Sequence, residues 1–378
     1  MTQERAFPIE LLTQPLALRI AYFQNITLAH PMLKRVNDQV REALRGSGPG
    51  QLIFVTGPAG VGKSRFGTRL VDHLIAEAQA GDSLPPDRIP ACLVEVPVPD
   101  GGRFSWKDLY WRMLEGLQEV LIEYKGSDLR HRQNPGSHVS LRAAGTPDLR
   151  RALESALRFR RPAAMILDEA QHLTKVAAGR SLLDQVDTVK SLANLSNTPI
   201  VLVGTYGLLA FFSQPNEQLL RRSVDIHFPR YNAENVADWE AFQSVFFTLL
   251  DRLPLAERPA MESHVEYVYE RTIGAVGILK DWLVRAYAQA CESSPSQPRL
   301  TVRDFEATAL SADVCLYLLD SAQRGESQIS PTRGAEDRLR AKLHFAEPSV
   351  LTQKPPARRV KPGRRRPTHD PVPGVPST

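Results

Sequence analysis

The chain has 378 residues and a hydrophobic content of 42%, enough for two domains with ordinary cores plus a tail. Its three cysteines, Cys92, Cys291 and Cys315, lie far apart with no CxxC pair, which argues against a disulfide framework and a zinc site and fits a reducing cytosol. The formal charge is +5, the first dozen residues lack a signal-peptide core, and no apolar run approaches the ~18 to 20 residues of a bilayer span, so a soluble, cytoplasmic chain with no membrane partner is expected.

Residues 1–30 read as an irregular leader. Over residues 31–44, Leu33, Val36, Val40 and Leu44 recur at helical spacing, and the glycine-rich stretch 46–50 ends that helix. The apolar run 52–55 reads as a buried strand. It breaks into Gly57-Pro58-Ala59-Gly60-Val61-Gly62-Lys63-Ser64, and Phe66, Leu70, Leu74 and Ala78 start a helix at once. A GxxxxGK[ST] run with a strand before it and a helix after it is a P-loop in its required setting. Glycines let the backbone curl so that N–H groups face the phosphates, and the helix adds the positive end of its dipole. The run Gly57 to Arg65 is therefore expected to hold a nucleoside triphosphate, with Lys63 on the β- and γ-phosphate oxygens and the Ser64 hydroxyl on Mg²⁺.

A Gly/Pro-rich loop (81–90) leads to a second strand at 91–97. Gly101-Gly102 then opens a helix over 106–124, with Leu109, Met113, Leu117 and Val120 on one face. Residues 125–147 show no periodicity and hold Lys125, Arg130, Arg132 and Arg142 against Asp128, a pattern open to two readings, solvated loop or nucleic-acid contact. A helix over 147–160 leads to the apolar run 163–167, which ends in Asp168-Glu169. Acids at the C-terminal tip of a buried strand sit where open parallel sheets bind ligands. Asp168 would orient Mg²⁺ and Glu169 would polarise the water that attacks the γ-phosphate. After a helix over 182–195, the strand 199–204 ends at Thr205, whose hydroxyl either reads the γ-phosphate or simply starts a turn. Arg221-Arg222 precede a last strand at 224–228. Strands alternating with helices predict a doubly wound α/β sheet with parallel strands.

From residue 232 the strands stop. Helical periodicity over 233–253, 260–272, 276–292 and 301–323 predicts a small all-helical domain. The expected layout is a leader (1–30), an α/β core (31–230), a helical lid (231–325) and a disordered basic tail (326–378). The tail gathers Lys354, Arg358, Arg359, Lys361, Arg364, Arg365 and Arg366, seven cations against a chain total of +5, so the rest of the chain is neutral or slightly acidic.

A hydrolytic glutamate beside Asp168 favours water over a substrate hydroxyl as nucleophile, and the absence of a guanine-reading Asn/Thr-Lys-x-Asp run points to ATP rather than GTP. With a helical domain directly after the core, the chain resembles the AAA+ superfamily. That resemblance implies sites shared between neighbouring copies, with Arg221 or Arg222 as the arginine finger inserted into the next copy's site; the residue-level alternative is a surface pair at a helix C-terminus, where cations are favoured anyway. It also implies a second sensor at the start of the third lid helix, where the stretch Gly274-Ala275-Val276-Gly277-Ile278-Leu279-Lys280 offers Lys280 in place of the usual arginine. Within the superfamily, Leu-Asp-Glu-Ala-Gln-His-Leu (167–173), Val-Gly-Thr (203–205) and Gly-x-x-Gly-x-Leu-Lys-Asp (274–281) are similar to the TnsC/TniB-type regulators of DNA transposition. This implies a helical or ring homo-oligomer on double-stranded target DNA, linking a target-selection protein to a transposase, with hydrolysis driving disassembly. Candidate DNA contacts are Arg103, Lys107 and Arg112, interleaved with Phe104, Trp106 and Trp111, aromatics that more often serve packing than base stacking. The basic tail would bind DNA or dock on a transposase. The competing reading is a STAND-like signalling ATPase that oligomerises without DNA; it usually carries large repeat domains after the lid, which this sequence lacks.

Overall fold

Each expected strand of the core forms over five residues: β1 Leu52–Thr56, β2 Ala91–Glu95, β3 Ala164–Asp168, β4 Ile200–Gly204 and β5 Ser223–His227. In this computed structural model the described residues are 6–46, 48, 50–80, 85–102, 104–122, 145–175, 182–212, 223–294, 298–329 and 334–345. The strands pair in parallel in the order β2-β3-β4-β1-β5. β1 lies between β4 and β5, with Leu52 opposite Ile200 on one side and Ser223 on the other. Every residue of β1, β3 and β4 is buried, which is why these strands read as continuous apolar runs and not as alternating ones.

Alternate residues feed two cores. Ile53, Val55, Ile166, Val201 and Val203 face α2 (Pro31–Arg45) and α3 (Lys63–Ala80), which supply Val36, Val40, Phe66 and Leu70. Leu52, Phe54, Met165, Leu167 and Leu202 face α4 (Trp106–Gly116), α5 (Thr146–Arg160) and α6 (Leu182–Ser196). Burying each such side chain contributes ~1.5–3 kcal/mol, so apolar packing on both faces holds the three layers together.

The helical domain comprises α7 (Val236–Asp251), α8 (Val265–Thr272), α9 (Val276–Ser293), α10 (Val302–Thr308) and α11 (Ala312–Ile329). Asn235 caps α7 by accepting from the Ala237 and Asp238 N–H groups, and Thr301 with Asp304 forms a capping box on α10. Phe242, Phe246, Leu279, Trp282 and Tyr287 of this domain belong to the same buried cluster as the α2/α3 face of the sheet. The chain divides into two compact units, Met1–Ile329 and Ser330–Thr378, so core and lid fall within one of them.

The structure departs from the sequence reading at four places. The leader is not irregular: after a 3-10 turn at Ile9–Thr13 it forms α1 (Leu16–Asn25), which buries Phe23 and Arg19 against the lid. The helix expected over 106–124 stops at Gly116, because Gln118 and Leu121 take left-handed backbone angles that an α-helix does not admit. The helix expected over 301–323 is two, separated by extended backbone at Ala309 and restarted where the Ser311 hydroxyl accepts from the Val314 N–H. Where the reading expects disorder from residue 326, α11 continues to Ile329 and the second unit contains α12 (Ala335–Lys342). The seven tail cations lie outside the described residues.

Candidate active site

The loop after β1 leaves the sheet between its two neighbours: the Gly57 N–H donates to Gly204 O (3.3 Å), and the Phe228 N–H donates to Thr56 O (2.7 Å). A Cβ on Gly57 would come within 2.2 Å of Phe228 O, so glycine is required there by packing. Gly60 and Gly62 have φ of +80° and +103°, the region that glycine enters without strain. Pro58 and Val61 are buried, whereas Ala59, Ser64 and Arg65 are exposed. Lys63 is the first residue of α3 and is only 6% exposed. Its ammonium donates to Gly57 O (3.1 Å) and Pro58 O (2.8 Å). Burial pulls its pKa down to about 8, while the Glu169 and Asp168 carboxylates pull it back up. A buried cation with carbonyl partners, beside a helix N-terminus, fits an incoming phosphate.

Those two carboxylates lie at the tip of β3. Asp168 is buried, and its Oδ1 accepts from the Glu169 N–H (2.9 Å). The Val96 N–H donates to Asp168 O (2.9 Å), tying the tip to the end of β2. Glu169 has a φ of +53°, an uncommon conformation for a non-glycine residue. Its Oε2 accepts from Gln171 Nε2 (2.5 Å), and Gln171 Oε1 accepts from the Thr205 N–H at the β4 tip (3.0 Å). Thr205 begins a 3-10 turn (Tyr206–Phe211), but its hydroxyl makes no capping bond there. Hard oxygens on Ser64 and Asp168 suit Mg²⁺, which keeps several waters and shares itself with phosphates, so few protein donors suffice.

The lid meets the P-loop through backbone. The Gly277 and Ile278 N–H groups, at the start of α9, donate to Gly60 O (2.6 and 3.2 Å). A Cβ on Gly277 would lie 2.4 Å from that oxygen. The sequence reading includes Gly277 in the Gly-x-x-Gly motif of residues 274–281 but gives it no role at the P-loop, a contact that only the folded backbone reveals. Lys280, expected as the second sensor, is engaged elsewhere. Its Nζ donates to Gln24 O (2.6 Å) and Ile26 O (2.5 Å), and Arg65 donates to the same Gln24 O (2.5 Å). The last carbonyls of α1 have no partners within their own helix, and they draw both cations. Burial first and then the Arg65 charge lower the Lys280 amine to about 8, against the raising effect of Asp281.

Of the candidate DNA contacts, Lys107 is exposed on α4, Arg112 pairs with Asp108 (3.0 Å), and Arg103 lies outside the described residues. The neighbouring aromatics serve packing: Trp106 is buried with its Nε1 donating to Gln185 (2.8 Å), Phe104 packs edge-on against it, and Trp111 donates to Glu115 (2.8 Å). Arg221 and Arg222 also lie outside the described residues, immediately before β5. No described helix is long and apolar enough to cross a membrane.

Three solved structures illustrate the comparison with known folds. A Walker-type ATPase of Pyrococcus abyssi is 16% identical, over 82% of this chain and 76% of that one, with a TM-score of 0.45. The ORC2 protein of Aeropyrum pernix, in ADPNP–ADP complexes, is 17% identical over 83% and 74%, with a TM-score of 0.45. The ORC1 protein of Aeropyrum pernix, in complex with DNA, is 16% identical over 79% and 68%, with a TM-score of 0.49. No curated protein sequence matches the chain. A family model described as "AAA domain" matches residues 47–212, a span running from the approach to β1 through β4 and the turn after it. That match covers both halves of the constellation at the sheet's C-terminal edge, the Lys63 loop and the Asp168-Glu169 tip, and with the parallel sheet beneath them it makes this chain a P-loop ATPase.

Proposed function

We propose that the chain hydrolyses ATP at the tips of β1, β3 and β4, and that the nucleotide state controls assembly of its copies on double-stranded DNA. The observation that carries the chemistry is the buried Lys63 ammonium, held on the Gly57 and Pro58 carbonyls and subject to the charges of the Glu169 and Asp168 carboxylates. In this reading, Lys63 and the loop N–H groups from Gly57 to Arg65 bind the β- and γ-phosphate oxygens. Ser64 and Asp168 would hold Mg²⁺, which would supply neutralisation of phosphate charge. Glu169 accepts the proton of the water attacking the γ-phosphorus, and Thr205 orients that water from the β4 tip. Arg221 or Arg222 of a neighbouring copy completes the site, a role supported by their place directly before β5.

Assembly on DNA is supported by the exposed Lys107, by Arg103 beside it in sequence, and by the cations of the tail. The resemblance of residues 167–173, 203–205 and 274–281 to TnsC/TniB-type regulators extends the reading to control of DNA transposition in the cytoplasm. The partners are then a target-selection protein and a transposase, and hydrolysis releases the assembly.

Glu169→Gln with ATP, imaged by electron microscopy with and without duplex DNA, tests the whole reading. Regular filaments or rings that form with ATP and DNA support it. Full-speed ATP turnover by dilute, monomeric wild-type protein, or no DNA binding at low salt with ATP, overturns it.

A further inference from the structure

We propose that Gln171 is a positioning residue for hydrolysis: its side-chain amide sets the Glu169 carboxylate and couples it to the backbone of the β4 tip at Thr205. This deepens the hydrolytic reading of Glu169 and rests on it. The strand does not aim Glu169. Its backbone has already turned left-handed (φ +53°), so the direction of its side chain depends on what holds the carboxylate. What holds it is the Gln171 amide, donating to Oε2 at 2.5 Å. The other end of the same amide accepts from the Thr205 N–H at 3.0 Å. A backbone N–H can only donate, so it assigns the amide oxygen to Thr205 and leaves the NH₂ for Glu169.

The surroundings are shaped for this bridge. A Cβ on Gly204 would stand 2.4 Å from Gln171 Oε1, and one on Gly207 would stand 3.2 Å from Gln171 Cβ. Two glycines at the β4 tip thus leave the slot through which the amide reaches. The turn bearing Gln171 is itself anchored. The Thr174 hydroxyl donates to Gln171 O (2.8 Å), and His172 Nδ1 lies 3.0 Å from Val96 O at the end of β2. With Oε2 occupied, Glu169 Oε1 is left to take the proton from water. Only a group with a donor at one end and an acceptor at the other makes this bridge. A carboxylate at 171 keeps the Thr205 bond and repels Glu169, and leucine keeps neither bond.

Steady-state ATPase kinetics, fluorescent-ATP binding and thermal melts of full-length Gln171→Leu, Gln171→Glu and Glu169→Gln test the proposal. Both Gln171 variants should lose about 10- to 100-fold in kcat while KM and nucleotide Kd stay within about threefold of wild type. Adding Gln171→Leu to Glu169→Gln should cause no further loss in single-turnover hydrolysis. If kcat survives in the Gln171 variants while Glu169→Gln stalls, the bridge is catalytically idle and the proposal falls alone. If Glu169→Gln turns over normally, the hydrolytic reading of the site falls and takes this with it. Equal losses in kcat and binding, or an additive double variant, would mean a merely structural residue. Should Gln171→Leu fail to fold, Gln171→Glu, which keeps the Thr205 bond, decides by the same readouts.

Discussion

At the scale of single residues, the chemistry turns on charges held away from water. Lys63 carries its proton below about pH 8 and loses it above. Binding a triphosphate above that pH requires the amine to take up a proton, so ATP affinity should fall with a limiting slope of about tenfold per pH unit. Equilibrium titrations between pH 7 and 9.5 would show this, and a flat Kd would mean that Lys63 does not meet the phosphates. Glu169→Gln should leave ATP binding intact and lower phosphate release by at least about 100-fold. His30 behaves differently. It caps α2, its Nδ1 lies 3.0 Å from the Tyr231 hydroxyl, and burial depresses its pKa to about 4. The folded value is below the unfolded ~6.5, so the neutral ring's contribution is complete above pH 6.5 and is lost as pH falls toward 4, by up to about 3 kcal/mol. Thermal melts at pH 7.5 and 5 should fall further for wild type than for His30→Asn, which can still cap the helix but cannot titrate.

At the scale of elements, the lid–loop contact makes a sharp claim. Gly277→Ala puts a methyl group against Gly60 O, and backbone on both sides must give way. A loss of about 1–3 kcal/mol is expected, with weaker nucleotide binding as the loop is displaced; melts and ATP titrations of the variant check it. The elements themselves were largely legible. Four apolar runs ending in Thr, Glu, Asp or Gly gave β1 to β4, since buried parallel strands carry few polar interruptions, whereas the edge strand β5 is mixed in polarity. The P-loop and the Asp168-Glu169 tip could be read because their chemistry is local in sequence. The rest was hidden for physical reasons. α1 is only ten residues, and what stabilises it is a tertiary clasp, Arg65 and Lys280 on its last carbonyls. The early end of α4 follows from left-handed Gln118 and Leu121, neither of them a glycine, while the nearby Gly116 is still helical. The Gln171 bridge joins the tips of two strands that are neighbours only once the sheet has formed. Lys280→Met should free the end of α1, seen as faster amide exchange over residues 20–26, with little change at β1.

At the scale of the molecule, charge and core are separated. The described residues carry mixed charge, whereas the seven cations of residues 354–366 stand apart in sequence. Deleting residues 346–378 should leave ATP turnover unchanged and flatten the salt dependence of DNA binding, measured as the slope of log K against log salt. An unchanged slope would place the DNA contacts within residues 1–345.

One buried cluster runs from Ile53 and Val55 of the sheet through Phe66 to Phe242, Phe246 and Trp282 beyond it. The Tyr231 N–H and Gly274 O, 3.0 Å apart, stitch the same seam in backbone. Two bodies glued by a shared oily interior do not melt separately, so calorimetry should record a single peak for everything up to residue 329. By the same token, a fragment cut near residue 230 would bare a greasy wall and clump instead of folding, and any swing of the helical half has to be a slide along that wall, never a clean lift from it.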